Sequence, residues 1–369
     1  MVKLNQFLIF ALGLSIGLTI GSFLQTFPLS LTSWPTSLNT TPLPFLTLSP
    51  ERHPPPPPPP IIYNDGDLVG SHNMSDDELL WRASMVPHKR DQGKTPKVAF
   101  MFLTKGPLPL ASLWNLFFKG HQNFYSIYVH THPSFNYSWP PDSVFYGRAI
   151  PSQEVEWGTM SMVDAERRLL ANALLNFANE RFVLLSESCI PLFKFTTIYN
   201  YLINSKFSFL PSFDDLRLAG RGRYNPKMHP NIALEDWRKG SQWFEVKREL
   251  AIRMVSDQKY YSTFKDHCHP PCYNDEHYFP TLGHILFPDL ISNRSVTYVN
   301  WSHVGTHVGS HPDRFIEHDI TKDFLNDLRF GLSNCTYNGN LTTMCFLFAR
   351  KFVGDTLKPL LEIAPKILF

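Results

Sequence analysis

Hydrophobic positions follow three regimes along the chain: one unbroken block, a polar and proline-rich stretch with no sustained period, and then short apolar runs alternating with amphipathic segments. The block, Leu4 to Phe27, contains no charged residue in 24 positions. At a helical rise of about 1.5 Å per residue it extends roughly 36 Å, enough to cross a hydrocarbon core of about 30 Å. The apolar region of a cleaved signal peptide is shorter, about 7 to 15 residues, and no Ala-x-Ala site follows here, so residues 4 to 27 are expected to be an uncleaved transmembrane anchor. Lys3 and the amino terminus put the positive charge on the N-terminal side. That predicts a cytosolic tail of residues 1 to 3, with everything after the anchor in the secretory lumen. Residues 28 to 95 are rich in Pro, Ser, Thr and Asn and include seven prolines from Pro54 to Pro60. Such a composition predicts a disordered stem, stiffened over roughly 22 Å by polyproline II at about 3.1 Å per residue.

From residue 96 to 369 the pattern is that of a folded domain. Val98 to Leu103, Phe124 to Val129 and Arg181 to Leu185 read as buried strands. Between them lie a helix-compatible stretch from Leu108 to Lys119 and a second helix with apolar Val163, Leu169, Leu170, Ala173, Leu174 and Phe177, opened by a capping box at Ser161 and Asp164. Strands alternating with helices predict an α/β fold with a mixed, mainly parallel central sheet. Ligands on such sheets gather beyond the strand carboxyl ends, here Thr104-Lys105, His130-Thr131-His132 and Ser186-Glu187-Ser188. After about residue 210 the pattern is less regular, with a helix expected from Glu245 to Ser256.

Composition narrows the classes. With 34 basic against 32 acidic residues the net charge is only +2, which argues against nucleic-acid binding. A lumenal location also predicts glycosylation, and seven Asn-x-Ser/Thr sequons are present, at Asn39, Asn73, Asn136, Asn293, Asn300, Asn334 and Asn340. Five cysteines in an oxidising compartment allow two bridges, with Cys268 to Cys272 and Cys335 to Cys345 the favoured local pairings and Cys189 a buried thiol. The alternative use of Cys268 and Cys272, a zinc site with His267, His269 and His277, has suitable ligand types. His303, His307 and His311 have the four-residue spacing of helical ligands, but Gly305, Gly309 and Pro312 oppose a helix there.

A lumenal α/β domain on a stem suggests a sugar transferase, many of which hold a divalent metal on the donor diphosphate through an Asp-x-Asp pair. The one such triplet, Asp65-Gly66-Asp67, lies in the stem, and Asp214-Asp215 lacks the spacing. Lys and Arg would then have to stabilise the leaving diphosphate, and no metal site is expected.

Ser186-Glu-Ser-Cys-Ile-Pro191, Asp275-Glu276-His277-Tyr278-Phe279 and Cys345-Phe-Leu-Phe-Ala-Arg-Lys-Phe352, with Trp157-Gly-x-x-Ser161 and Gly240-Ser-Gln-Trp-Phe244, follow one another in this order. Together they resemble the core-2/I-branching β-1,6-N-acetylglucosaminyltransferase family, in detail its plant branch. The resemblance implies a GT-A-type nucleotide-sugar fold, inverting chemistry without a metal cofactor, a nucleotide-sugar donor (a UDP-sugar), and type II topology in the Golgi membrane. It places the catalytic base at Glu276, with Asp275 the nearest competitor. Lys351, with Arg350 beside it, falls on the basic position that contacts the diphosphate, and the second arginine of that contact falls on Arg329 or Arg314. Thr104, Lys105 and His130 fall in the nucleoside region, where His130 replaces an aspartate of the animal enzymes. Trp301 matches an aromatic acceptor contact, and Arg221, Arg223 and Tyr224 lie in the region of basic acceptor contacts.

The expected function is therefore transfer of a sugar, N-acetylglucosamine by resemblance, to a glycan or glycoprotein acceptor. The His130 departure motivates an alternative, a non-catalytic glycan-binding or scaffold protein on the same fold. A glycosidase using Glu187 and Glu276 is a third, weaker option that depends on their separation.

Overall fold

The computed structural model describes residues 72 to 302 and 311 to 367. The apolar run, the sequon at Asn39, the Asp65 triplet, His303 and His307 lie outside the described residues, and among those described no helix is long and apolar enough to cross a membrane.

The central sheet has four strands in the order β2 (Tyr125–His130), β1 (Lys97–Leu103), β3 (Asn179–Ser186), β5 (Glu245–Lys247). The first three are parallel, and β5 runs antiparallel on the edge. All seven β1 residues are buried, as a central parallel strand requires. Side chains alternate across a strand, so Ala99, Met101, Leu103, Phe182 and Leu184 enter one core while Val98, Phe100, Phe102, Val183 and Leu185 enter another. The first core is closed by α1 (Asp76–Ser84), α3 (Met160–Leu174), α5 (Arg248–Ser256) and α7 (Asn274–Leu286). The second is closed by α2 (Ala111–Phe118), α4 (Phe195–Ile203), α9 (Leu357–Ile367) and a small sheet in the order β4 (Ile190–Pro191), β9 (Phe348–Arg350), β6 (Thr297–Val299). The second core is strongly aromatic, with Phe100 ringed by Trp114, Phe117, Phe118, Phe195 and Phe348 at centroid distances of 4.9 to 6.4 Å. α6 (Lys259–His267) leads into the disulfide Cys268–Cys272, and the hairpin β7 (Cys335–Tyr337) and β8 (Asn340–Thr342) follows the short α8 (Lys322–Asn326) and a π-helical turn. A second disulfide joins Cys335 to Cys345, and Cys189 is a buried free thiol.

Three expectations need correction. Residues 76 to 84, assigned to the stem, form α1, which buries Leu79 and Ala83 and is tied to α3 by a two-pronged ion pair from Arg168 to Asp76. The helix expected from Glu245 begins only at Arg248, because Glu245 is drawn into the sheet edge by a fully buried pair with Arg181 at 2.6 Å. α3 starts at Met160 with Thr159 as its cap, and Ser161 turns back to bond Glu156 and Thr159 instead of opening a capping box.

Candidate active site

Glu276 sits in the first turn of α7, where the unpaired amides and the dipole of the helix favour an anion. That helix end is fixed from three sides. The Cys268–Cys272 disulfide closes the preceding loop, with Asn274 Nδ2 donating to Cys268 O at 2.9 Å. From another side, Gly158 O accepts from Asn274 N at 3.4 Å. On the third, His277 Nδ1 bonds Arg238 O and Gly240 N donates to Glu276 O, each at 2.8 Å. A Cβ on Gly240 would lie 2.2 Å from Pro211 O and 2.6 Å from Pro280, so only glycine lets this strand of chain lie so close to α7. The consequence is the placement of Lys239, whose Nζ donates to Glu276 Oε2 at 2.7 Å.

Arg223 Nη1 donates to the same oxygen at 2.7 Å. Both cations therefore occupy Oε2, and Oε1 makes no hydrogen bond to the described residues. Burial alone would push the Glu276 carboxyl up, but Lys239 and Arg223 outweigh it and hold the group below its ordinary value, hence ionised at neutral pH. Its neighbour behaves oppositely. Asp275 is buried with Oδ1 unpartnered, and burial together with the Glu276 charge pushes it up to about 7. Glu166, fully buried below and held by Gln242 Nε2 at 2.9 Å, is raised well above the carboxylate range by burial and by Asp275. One ionised carboxylate thus lies beside two that are held toward the neutral form.

Tyr273, preceding α7, lies under the Arg223 guanidinium at 4.4 Å and against the Trp157 indole at 4.6 Å. Sequence spacing gave no warning of Lys239 or Tyr273 as partners of Glu276, although each borders a quoted motif, Gly240 to Phe244 in one case and Asp275 to Phe279 in the other.

A second group of cations collects beyond the carboxyl end of β3. Phe352 N donates to Ser188 O, and Phe315 N to Lys351 O, bringing Arg314, Arg350 and Lys351 to the Ser186–Ser188 turn. Burial lowers the Lys351 ammonium and Arg350 and Arg314 lower it further, while the nearby Glu187 carboxylate acts against them. Arg350 is buried over the Trp243 indole at 4.1 Å with Nε unpartnered. Lys239 and Trp243 are four residues apart, so the residue holding Glu276 and the residue under Arg350 are separated by at most about 14 Å of extended chain.

Other candidate residues lie elsewhere. Arg329 packs over Phe193 and Phe330 and bonds Asn326, and Arg314 takes the place beside Lys351. Arg221 forks onto Asp214, and Tyr224 turns inward to bond Ile232 O and pack on Trp237, leaving Arg223 as the member of that loop at Glu276. His130 is buried with Nε2 accepting from Arg168 at 3.1 Å, and burial drives it down to about 3. Its neutral ring is a fixed acceptor in the α1–α3 tie. Thr104 is buried against Gly106 O, while Lys105 and Trp301 are exposed. Of the sequons among the described residues, Asn73, Asn136, Asn293, Asn334 and Asn340 are exposed and Asn300 is half-buried. Both sulfurs of the alternative zinc set are in the disulfide, and no group of three or more metal-ligating side chains occurs among the described residues.

The sequence model of the Core-2/I-branching enzyme matches residues 98 to 329, which include Glu276 and all three of its flanking segments. The chain belongs to the Core-2/I-branching enzyme family. It is also 36% identical over 310 residues, 73% of this chain and 76% of the relative, to the glycosyltransferase BC10 of Oryza sativa subsp. japonica. This family member is accordingly a glycosyltransferase, an enzyme that takes a glycosyl donor and an acceptor. The matched span ends before Lys351, so the cation group at β9 stands on its geometry.

Proposed function

We propose that the protein is an inverting glycosyltransferase of GT-A type in which Glu276 is the base and Lys351, with Arg350 and Arg314, receives the diphosphate of a nucleotide-sugar donor. The observation that carries this is the ionised Glu276 carboxylate, anchored through Oε2 by Arg223 and by Lys239, with Lys239 four residues from the Trp243 on which Arg350 packs, and with Arg350, Lys351 and Arg314 in no ion pair among the described residues. An acceptor hydroxyl attacks the anomeric carbon from the face opposite the nucleotide. As the new C–O bond forms, the hydroxyl proton passes to Glu276 Oε1, since a hydroxyl becomes acidic only as it bonds to carbon. The bond from the anomeric carbon to the phosphate oxygen breaks, and its electron pair leaves on the nucleoside diphosphate, whose added charge the cations offset.

The transfer needs no metal in this scheme, because the cations supply the positive charge at the leaving group. N-acetylglucosamine as the sugar, UDP as the carrier and a glycan or glycoprotein as the acceptor follow from the family resemblance. A type II location in the Golgi membrane is the further proposal from the apolar run at residues 4 to 27. Glu276→Gln keeps size and hydrogen bonding but removes the base. It is expected to lower kcat by at least about a hundredfold with donor KM nearly unchanged, and transfer at the wild-type rate would place the base elsewhere.

A further inference from the structure

Among the exposed large side chains, Trp157 stands out for how firmly it is held. Its indole is 49% exposed, yet it rests on Tyr273 at 4.6 Å and against His311 at 5.6 Å. Gly158, next in the chain, has φ +78°, a conformation glycine adopts freely, and a Cβ there would lie 2.5 Å from the Tyr273 ring. The backbone is thus shaped to bring this loop down on Tyr273, and Gly158 O then accepts from Asn274 N, the first residue of α7. Leaving a large indole half in water forgoes part of its burial, which a fixed, exposed aromatic beside polar groups recovers when a ligand covers it.

The neighbours select the ligand. From Trp157 the contacts run to Tyr273, from Tyr273 to Arg223 at 4.4 Å, and from Arg223 to Glu276 at 2.7 Å. An exposed indole is thus joined through one tyrosine ring to a guanidinium, and through that guanidinium to a carboxylate. A pyranose matches that arrangement, with C–H groups on its faces for the indole and hydroxyls at its edge for the charged groups. A protein partner would call for a wider apolar patch, whereas here one indole is flanked by charge.

We infer that Trp157 is the stacking floor of an acceptor-sugar subsite, holding the ring whose hydroxyl is presented to Glu276. This rests on Glu276 being the base, and Trp157 acts as a positioning residue for the acceptor and not for the donor.

The test uses the full-length protein with UDP-N-acetylglucosamine as donor and a panel of aryl glycosides as acceptors, comparing wild type, Trp157→Ala, Trp157→Phe and Glu276→Gln, together with binding of the same proteins to an array of immobilised glycans. In Trp157→Ala the acceptor KM should rise about tenfold or more, with donor KM and donor hydrolysis unchanged, and Trp157→Phe should restore most of the loss. On the array, Trp157→Ala should lose the glycans that wild type retains. An unchanged acceptor KM, a donor KM that rises in parallel, or equal array binding by wild type and Trp157→Ala overturns the subsite. Wild type binding no glycan on the array overturns it as well. Full transfer by Glu276→Gln would instead overturn the assignment of the base, and so the two failures are told apart.

Discussion

Two adjacent carboxylates in α7 have opposite fates. Glu276 gains Lys239 and Arg223 and stays ionised, whereas Asp275, buried with an unpartnered oxygen, is pushed from an ordinary 3.8 to about 7. A raised carboxyl binds its proton more tightly folded than unfolded, so its contribution is harmless below the unfolded value and becomes a loss as pH climbs to the folded one. Asp275→Asn should therefore match wild type in stability near pH 4 and exceed it near pH 8, by on the order of 4 kcal/mol, in denaturant melts across that range. A constant difference would mean that Asp275 is not protonated in the fold. For Glu276, the base under the proposed function, the effect of the cations is expected in catalysis. Lys239→Met removes one of them and should move the acid limb of the kcat/KM profile to higher pH, and an unmoved limb would uncouple Lys239 from the base. The Asp-Glu-His-Tyr-Phe motif marks Glu276 in the sequence, but its hydrogen-bond partners were not legible there. Lys239 precedes the nearest motif and reaches Glu276 only through the packing of Gly240 on α7, and Arg221 and Arg223 differ only in which way a tight loop turns them.

Among the elements, strands β1 to β3 were legible because each carries an apolar run buried in a parallel sheet, whereas the apolar period of α3 marked only part of a helix that is buried nearly all round from Ala165 to Leu174. β5 was not, since its sequence Glu-Val-Lys carries no strand signal of its own and its place depends on Arg181, 64 residues earlier in the chain. α1 was hidden for a similar reason. Nine residues of modest amphipathicity read as stem until Arg168, itself bonded to His130, supplies the anchor for Asp76. The segment from Lys239 to Trp243 is the element on which the site depends, and Gly240→Ala tests it. With Pro211 O only 2.2 Å from the added Cβ, the segment must move. The variant should lose about 1 to 3 kcal/mol of stability and lose transfer beyond what that instability explains, as thermal melts and kcat together would reveal. An unaltered kcat would show that Lys239 need not be held in register.

At the scale of the whole described domain, two hydrophobic cores clamp one sheet, and the residues assigned to chemistry lie where chain segments from both layers meet. α7 and the Trp157 loop come from the first core, and β9 with Lys351 from the second. Under the proposed function, this division holds the donor from one side and the acceptor from the other. The most direct measurement is release of nucleoside diphosphate and glycosylated product by the full-length enzyme, from a panel of nucleotide sugars, with EDTA present throughout and with Glu276→Gln and Lys351→Ala alongside. The account predicts turnover of one donor in EDTA, lost in Glu276→Gln and reduced by about a hundredfold or more in Lys351→Ala. Turnover that disappears in EDTA and returns with a divalent cation, or that survives both substitutions, would contradict it.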